Sequence, residues 1–217
     1  MLDIGLLASI LSIAIAAGTS LVYATLGEIL TERAGILNLG VEGMMIMGAV
    51  TGFAAAFHTN SVLLGVVVAM LVGAAMAAIH AFVTITLLAD QVVSGLAMTL
   101  LGAGLASFLG QRLGPAGSPL VGQIGPRFER LAMPLLSELG IVGDAIFNRD
   151  MLTYMMYILV PLMWLFIYRL RPGLVLRSVG ENPQASDAMG VNVFQVRYVY
   201  TIVGGMLVGL GGAHLSL

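Results

Sequence analysis

The sequence predicts an all-α protein, a polytopic bundle of transmembrane helices with about six membrane spans. Hydrophobic residues make up 59% of the 217 residues, and the mean hydropathy is +1.02. Only 9% of the residues are charged, whereas soluble domains carry roughly 25%. Several charge-free runs also reach the length of about 20 apolar residues that a helix needs to cross a bilayer.

The predicted spans follow from these charge-free runs. The run at 43–89 is too long for one span, and the polar residues at 58–61 divide it. The first run is too long for the apolar core of a signal peptide and has no basic residues before it, so we interpret it as a span. The six predicted spans are 4–27, 41–57, 62–88, 92–110, 151–168 and 198–217.

Glycine pairs inside the spans indicate close helix packing. Gly48 and Gly52 form one GxxxG pair, and Gly205 and Gly209 form another. Small residues let helices approach closely where lipid provides no hydrophobic drive for association. We therefore expect a tight bundle.

Polar residues between the first two spans are candidates for a transport path. Glu42 lies close to the start of a span, and burying a charge in the membrane costs about 2.5–3.5 kcal/mol of insertion free energy. We expect it to face the bundle or water with a partner, and Arg33 is the nearest basic residue in sequence. One interpretation is an interfacial loop with solvated charges. The other is a bend beside the path, in which Gly35, Gly40 and Gly43 let the backbone turn and Asn38 and Glu42 present polar groups.

Ser94 and Gly95, in the fourth span, are further candidates for path lining. An intramembrane serine protease would need Ser94 within hydrogen-bond reach of His214, in the sixth span. The surrounding sequence QVVSGLAM lacks the glycine two residues before the serine that such proteases carry. We favour path lining or an interhelical hydrogen bond for Ser94.

Residue types absent from the chain exclude several functions. There is no cysteine, and all nine basic residues are arginine. The missing lysine excludes a Walker A phosphate loop and a Schiff base. The three histidines lie far apart in sequence, so we expect no metal site. A net charge of -2 argues against a nucleic-acid partner.

Two long polar segments differ in charge, and this difference predicts the orientation of the bundle. The 169–197 segment carries four arginines and two acids, whereas 111–150 carries four of each over a longer stretch. The positive-inside rule therefore makes 169–197 a cytoplasmic loop and 111–150 an external loop. Within the external loop we expect a short amphipathic helix near 131–139, which either caps the bundle or docks an external partner.

A short helix with marked ends lies at the centre of the 169–197 segment. Asn182 can cap its start, Pro183 fits the first helical position, and Gly190 supplies a stop. An isolated helix of about seven residues is marginal in water. It must therefore dock on something, which makes the loop a candidate contact surface.

Three motifs in order resemble one family. They are TERAGILNLGVEGMMIMGA, QVVSGLAMTLLG and GLVLRSVGENPQASDAMGVNVFQVRY. Together they resemble an inner-membrane permease subunit of an ABC importer, in the simple-sugar and nucleoside branch of the branched-chain amino-acid/ribose permease family. The resemblance covers nearly all of the chain. Members are usually longer, so we expect 1–217 to be a single permease domain that is incomplete at its C-terminus.

The resemblance implies that the marked helix is a coupling helix against a separate cytoplasmic ABC ATPase, which hydrolyses the ATP. The implied contact residues are Glu181, Asn182, Pro183, Gln184, Ala185, Ser186, Asp187, Ala188, Met189 and Gly190. It also implies a second permease subunit (a paralogue or a second copy), an external substrate-binding lipoprotein, and a location in a prokaryotic inner membrane. The expected solute is a nucleoside or a simple sugar, with no cofactor and no catalytic residue.

An ion-coupled secondary transporter is the main alternative. It should carry paired ionisable groups at mid-span and inverted repeats, and we identify neither in the sequence. The intramembrane serine protease is the less favoured alternative.

Overall fold

The computed structural model describes residues 4–132 and 146–217, and the helices in these ranges form one bundle. In chain order they are α1 (Ile4–Arg33), α2 (Val41–Thr59), α3 (Val62–Ala81), α4 (Gln91–Gly110), α5 (Met151–Arg169), α6 (Arg171–Glu181), α7 (Pro183–Ala188) and α8 (Val193–Ser216). A π-helical turn at Phe82–Thr86 continues α3, and Pro115–Gly117 forms a 3-10 turn. The two-residue strands β1 (Leu131–Ala132) and β2 (Asn148–Arg149) pair antiparallel.

Six helices in the described residues are long and apolar enough to cross a membrane, as the sequence predicts: α1 to α5 and α8. Two boundaries differ from the prediction by more than two residues. α1 continues past the predicted end at residue 27 to Arg33, and α8 begins at Val193 rather than at residue 198. Both extensions contain polar and charged residues. Long charged side chains can keep their charged groups in water while their aliphatic parts lie on apolar surface.

Side-chain caps account for several helix starts. Ser61, Asp90, Asp150 and Asn192 each accept a hydrogen bond from a backbone N–H in the first turn of the helix that follows. Such caps satisfy backbone donors that have no partner within the helix. They fix where the spans begin, and so which residues lie at the ends of the bundle.

α8 lies at the centre of the bundle and packs against α1, α2 and α3. Its glycines allow this. A Cβ at Gly48 of α2 would lie 2.7 Å from the carbonyl oxygen of Gly209, and a Cβ at Gly204 would lie 2.7 Å from that of Gly27 in α1. Backbones therefore touch directly, and the glycine pairs predicted to pack do so.

The two ends of the bundle carry different connections. At one end, Gly35 lies between Gly180 of α6 and Arg197 of α8. At the opposite end, the backbone N–H of Phe128 donates to the Leu217 carbonyl oxygen at 3.1 Å. The described parts of 111–150 thus lie at the end opposite α7. The helix expected near 131–139 falls mainly outside the described residues, and its first two positions form β1.

Candidate functional site

A helix that the sequence analysis missed, α6, carries the marked helix α7. Leu176 and Val179 are fully buried, and Leu176 packs in a cluster with Leu30 of α1 and Ile167 of α5. The apolar positions 173, 176 and 179 recur at helical spacing, which is the signal that could have predicted α6. Its polar residues hid that pattern within a charged loop.

Two glycines hold α6 against its neighbours. A Cβ at Gly173 would collide with the carbonyl oxygen of Phe166 in α5, and one at Gly180 would collide with that of Arg33 in α1. α6 is therefore in backbone contact with the ends of two membrane spans. A movement of α6 would displace both.

The ends of α7 are those that the sequence predicts. The Asn182 side chain accepts from the N–H of Ala185 at 2.9 Å, and Pro183 occupies the first turn. Gly190 follows with φ of +85°, a conformation that favours glycine. The helix has six residues, one fewer than expected, because Met189 already lies outside it.

α7 presents most of its surface outward. Ser186 is buried and donates to the Asn182 carbonyl oxygen at 3.0 Å, so one face is held against the protein. Pro183 is half-buried. Met189 is 85% exposed. The other exposed members of the predicted contact set are Glu181, Asn182, Gln184, Ala185, Asp187, Ala188 and Gly190. This surface combines two acids with an exposed apolar side chain.

The Asn38 side chain holds nearby backbone in place and does not face open space. Its side chain is 2% exposed. Its Oδ1 accepts from the N–H of Gly40 at 3.0 Å, and its own N–H donates to Oε1 of Glu28 at 3.1 Å. Asn38 and the buried Gly40 thus belong to a folded segment between α1 and α2.

Glu42 does not have the partner that the sequence analysis expects. It is exposed on the first turn of α2, and within residues 4–132 and 146–217 no hydrogen bond or ion pair reaches it. Arg33 donates instead to the hydroxyl of Tyr168 at 3.4 Å. The physical reason is that α1 continues through Arg33, which turns this side chain toward α5. A carboxylate at a helix N-terminus is stabilised by the helix dipole.

Gly43 and Gly95 lie where α2 and its preceding segment meet α4. A Cβ at Gly43 would lie 2.5 Å from the carbonyl oxygen of Met98, and one at Gly95 would lie 2.7 Å from the backbone nitrogen of Leu39. These glycines permit close packing. A role in lining the path stays a prediction for both of them, as it does for Asn38, Gly40, Glu42 and Ser94.

Ser94 is paired with a histidine other than the one considered from sequence. Its hydroxyl lies 2.9 Å from Nδ1 of His80, and Nε2 of His80 lies 3.1 Å from the Leu37 carbonyl oxygen. Because the carbonyl can only accept, Nε2 carries a proton and donates to it; when the ring is neutral, Nδ1 accepts from the Ser94 hydroxyl. Both ring nitrogens of this buried side chain therefore have partners, which favours an interhelical structural role.

His214 belongs to a separate group at the opposite end. Its Nδ1 lies 2.8 Å from the Ser20 hydroxyl, and its Nε2 lies 3.5 Å from Oδ2 of Asp150. The Ser94–His214 pair that a protease would require is therefore not formed. Burial opposes the charge on Asp150, but hydrogen bonds from His214 and Thr153 outweigh it and hold the pKa of this carboxyl below its usual value.

The described residues contain no group of three or more histidine, cysteine or acidic side chains placed to hold a metal ion. The polar groups at both ends instead join helices to one another. The described residues therefore form a bundle of helices able to cross a membrane, with the short helix α7 exposed at one end.

Comparisons with known proteins agree with this architecture. A putative glucose ABC transporter permease protein of Haloferax volcanii is 43% identical over 97% of this chain and 63% of its own length. A nucleoside ABC transporter permease protein of Lactococcus lactis is 34% identical over 90% of this chain and 63% of its own. A guanosine ABC transporter permease protein of Bacillus subtilis is 32% identical over 88% of this chain and 62% of its own. No solved structure gives a significant match.

The chain therefore spans about 63% of the length of the first of these relatives. With six helices able to cross a membrane in its described residues, it is a multi-pass membrane protein. A family model described as the permease component of the branched-chain amino acid transport system matches residues 9–217. The chain belongs to this permease family.

Proposed function

We propose that the chain forms a transmembrane permease subunit of an ATP-driven ABC importer in a prokaryotic inner membrane. It carries part of the translocation path and has no catalytic centre of its own. ATP hydrolysis takes place in a separate cytoplasmic subunit. Membership of the permease family supports this proposal, as do the names of the relatives.

The proposed ATPase contact rests on one observation, the exposure of the short helix α7. A six-residue helix is too short to be stable alone, yet α7 is capped at Asn182 and anchored through Ser186. α6, which carries it, touches the ends of α1 and α5 through backbone. A partner that moves α7 thereby moves membrane spans, which is rigid-body coupling across an interface.

The proposed solute is a nucleoside or a simple sugar. Relatives are named for glucose, nucleosides and guanosine, and a sugar ring is common to these solutes. Labelled guanosine and labelled glucose, offered separately to the assembled transporter, distinguish the two classes. The proposed assembly also contains a second permease subunit, either a paralogue or a second copy, and an external lipoprotein that delivers the solute.

Site-specific crosslinking tests the ATPase contact. The chain has no native cysteine, so Ala185→Cys and Ala188→Cys each introduce a single thiol on the exposed face of α7. Both should crosslink to a co-expressed ATPase subunit. Leu63→Cys, which is 64% exposed at the start of α3 in the opposite end of the bundle, is the matched control and should not.

The proposed contact is wrong if Leu63→Cys crosslinks at the same yield as the two α7 positions. It is also wrong if neither α7 position crosslinks in an assembled complex. Ser186→Cys adds a second control on the same helix, since this side chain is buried. Its thiol should react far less than the thiol at Ala185→Cys.

A further inference from the structure

A seven-residue stretch of backbone between α1 and α2, which we name the 34–40 segment, touches both the α6–α7 pair and the helices deep in the bundle. It leaves α1 after Arg33 and enters α2 at Val41. Most of its residues are buried or half-buried. It is therefore part of the packed protein and not a surface loop.

At its first residues the 34–40 segment lies against α6 and α8. A Cβ at Gly180 of α6 would lie 3.3 Å from the backbone nitrogen of Gly35, and a Cβ at Gly35 would lie 3.4 Å from Cα of Gly180. Nε of Arg197 in α8 donates to the Ala34 carbonyl oxygen at 3.3 Å. With no side chain between the two backbones, a shift of α6 cannot be absorbed by a change of rotamer.

The middle of the segment is pinned to α3 and α4 by side chains. The N–H of Leu37 donates to Oε1 of Gln91 at 2.8 Å, and its carbonyl oxygen accepts from Nε2 of His80 at 3.1 Å. About two turns further along α4, the hydroxyl of Thr99 donates to the Leu39 carbonyl oxygen at 2.9 Å. Three side chains on two spans thus hold the backbone of two segment residues.

The segment then continues directly into α2, which is itself packed on α4. Gly43 in the first turn of α2 touches the backbone of α4 at Met98 and Thr99. The contacts therefore form an unbroken line from α7 through α6 and the 34–40 segment to α2 and α4. Each link is either covalent, a backbone contact or a hydrogen bond.

We propose that the 34–40 segment is a positioning element that passes movement of α6 and α7 to α2 and α4, with Gly180 as its point of contact and Gln91 and His80 as its anchors. This inference rests on the proposed importer function. It adds to it the route by which motion at the ATPase contact reaches the membrane spans.

Uptake per ATP hydrolysed, measured in proteoliposomes, tests the segment. Gly180→Ala drives a methyl group into the Arg33 carbonyl oxygen, and Gln91→Ala removes one anchor of Leu37. Each variant should keep the ATPase bound and hydrolysing while solute uptake per ATP falls by about fivefold or more, as expected for loss of one coupling contact. Gly104→Ala in α4 is the matched control, because no atom lies within 4 Å of its added Cβ.

A conformational readout separates coupling from simple loss of stability. Spin labels at Leu39→Cys in the segment and at Leu21→Cys in α1 lie on exposed side chains. Their distance should differ between the nucleotide-free and ATP-trapped complex. That difference should be lost in Gly180→Ala or Gln91→Ala, whichever assembles, and kept in Gly104→Ala.

The outcomes distinguish the two proposals. If the unaltered complex takes up solute with ATP but its label distance stays constant, the inference about the segment is wrong and the importer function stands. Unchanged uptake per ATP in both Gly180→Ala and Gln91→Ala has the same meaning. If the unaltered complex shows no ATP-driven uptake, the importer function is wrong, and the role of the segment falls with it.

Discussion

Asn182 stabilises the start of α7 with a side-chain hydrogen bond. Its side chain accepts from the N–H of Ala185 at 2.9 Å, and Pro183 follows in the first turn, which is the helix start that this asparagine–proline pair predicts. The prediction succeeded because capping is local: donor and acceptor are three residues apart. The prediction of a partner for Glu42 was wrong for the opposite reason, because the surroundings of this side chain depend on where α1 ends.

Replacing Asn182 tests the importance of this cap. Asn182→Ala should destabilise α7 by about 1 kcal/mol, the usual cost of losing a capping side chain. Hydrogen exchange at the Ala185 amide should become faster, because its acceptor is lost. Asn182→Ser is the matched control, since serine caps about as well and should leave exchange nearly unchanged. Equal acceleration in both variants would contradict the role of the side-chain oxygen.

The Ser94–His80 hydrogen bond leads to a second prediction at this scale. Ser94→Ala leaves Nδ1 of the buried His80 without its donor, and an unsatisfied buried polar group costs about 1–3 kcal/mol. Thermal unfolding in detergent should therefore occur at lower temperature. Ser107→Ala, on the exposed face of the same helix, should have little effect. The idea is wrong if the two variants unfold alike.

Whole elements were predictable where their signal is long and regular. The six spans came from charge-free runs, because a bilayer requires about 20 apolar residues whatever their neighbours are. α6 was missed because it is short and amphipathic, and its regularly spaced apolar positions stand among the polar residues of a charged loop. The 34–40 segment was recognised as glycine-rich and polar. Its hydrogen bonds to His80 and Gln91 join residues distant in sequence, and no local pattern reveals them.

Helix packing provides the prediction that belongs to this scale. Gly48→Ala places a methyl group 2.7 Å from the Gly209 carbonyl oxygen, and forcing extra atoms into a packed core costs about 1–3 kcal/mol. Gly104→Ala meets no atom within 4 Å and should stabilise α4 by roughly 0.5–1 kcal/mol, because glycine is a poor helix former. Unfolding temperatures measured in the same detergent should therefore move in opposite directions. A shift of both in the same direction would contradict the close α2–α8 contact.

At the scale of the whole molecule, the two ends of the bundle differ in the contacts that join their helices. One end carries α7, its support α6 and the 34–40 segment, all joined by backbone contacts. The other end is tied by Asp150, His214 and Ser20, which connect α5, α8 and α1. Under the importer function that we propose, the first end meets the ATPase and the second faces the side from which solute arrives.

Solute uptake into proteoliposomes tests the central claim most directly. The chain is reconstituted with the proposed ATPase, second permease subunit and solute-binding lipoprotein, and accumulation of labelled guanosine or glucose is followed with ATP supplied to the ATPase side. The account predicts accumulation that requires hydrolysable ATP and persists when ionophores dissipate all ion gradients. Accumulation that proceeds without ATP and stops when an ion gradient is dissipated would contradict it, and would identify an ion-coupled transporter instead.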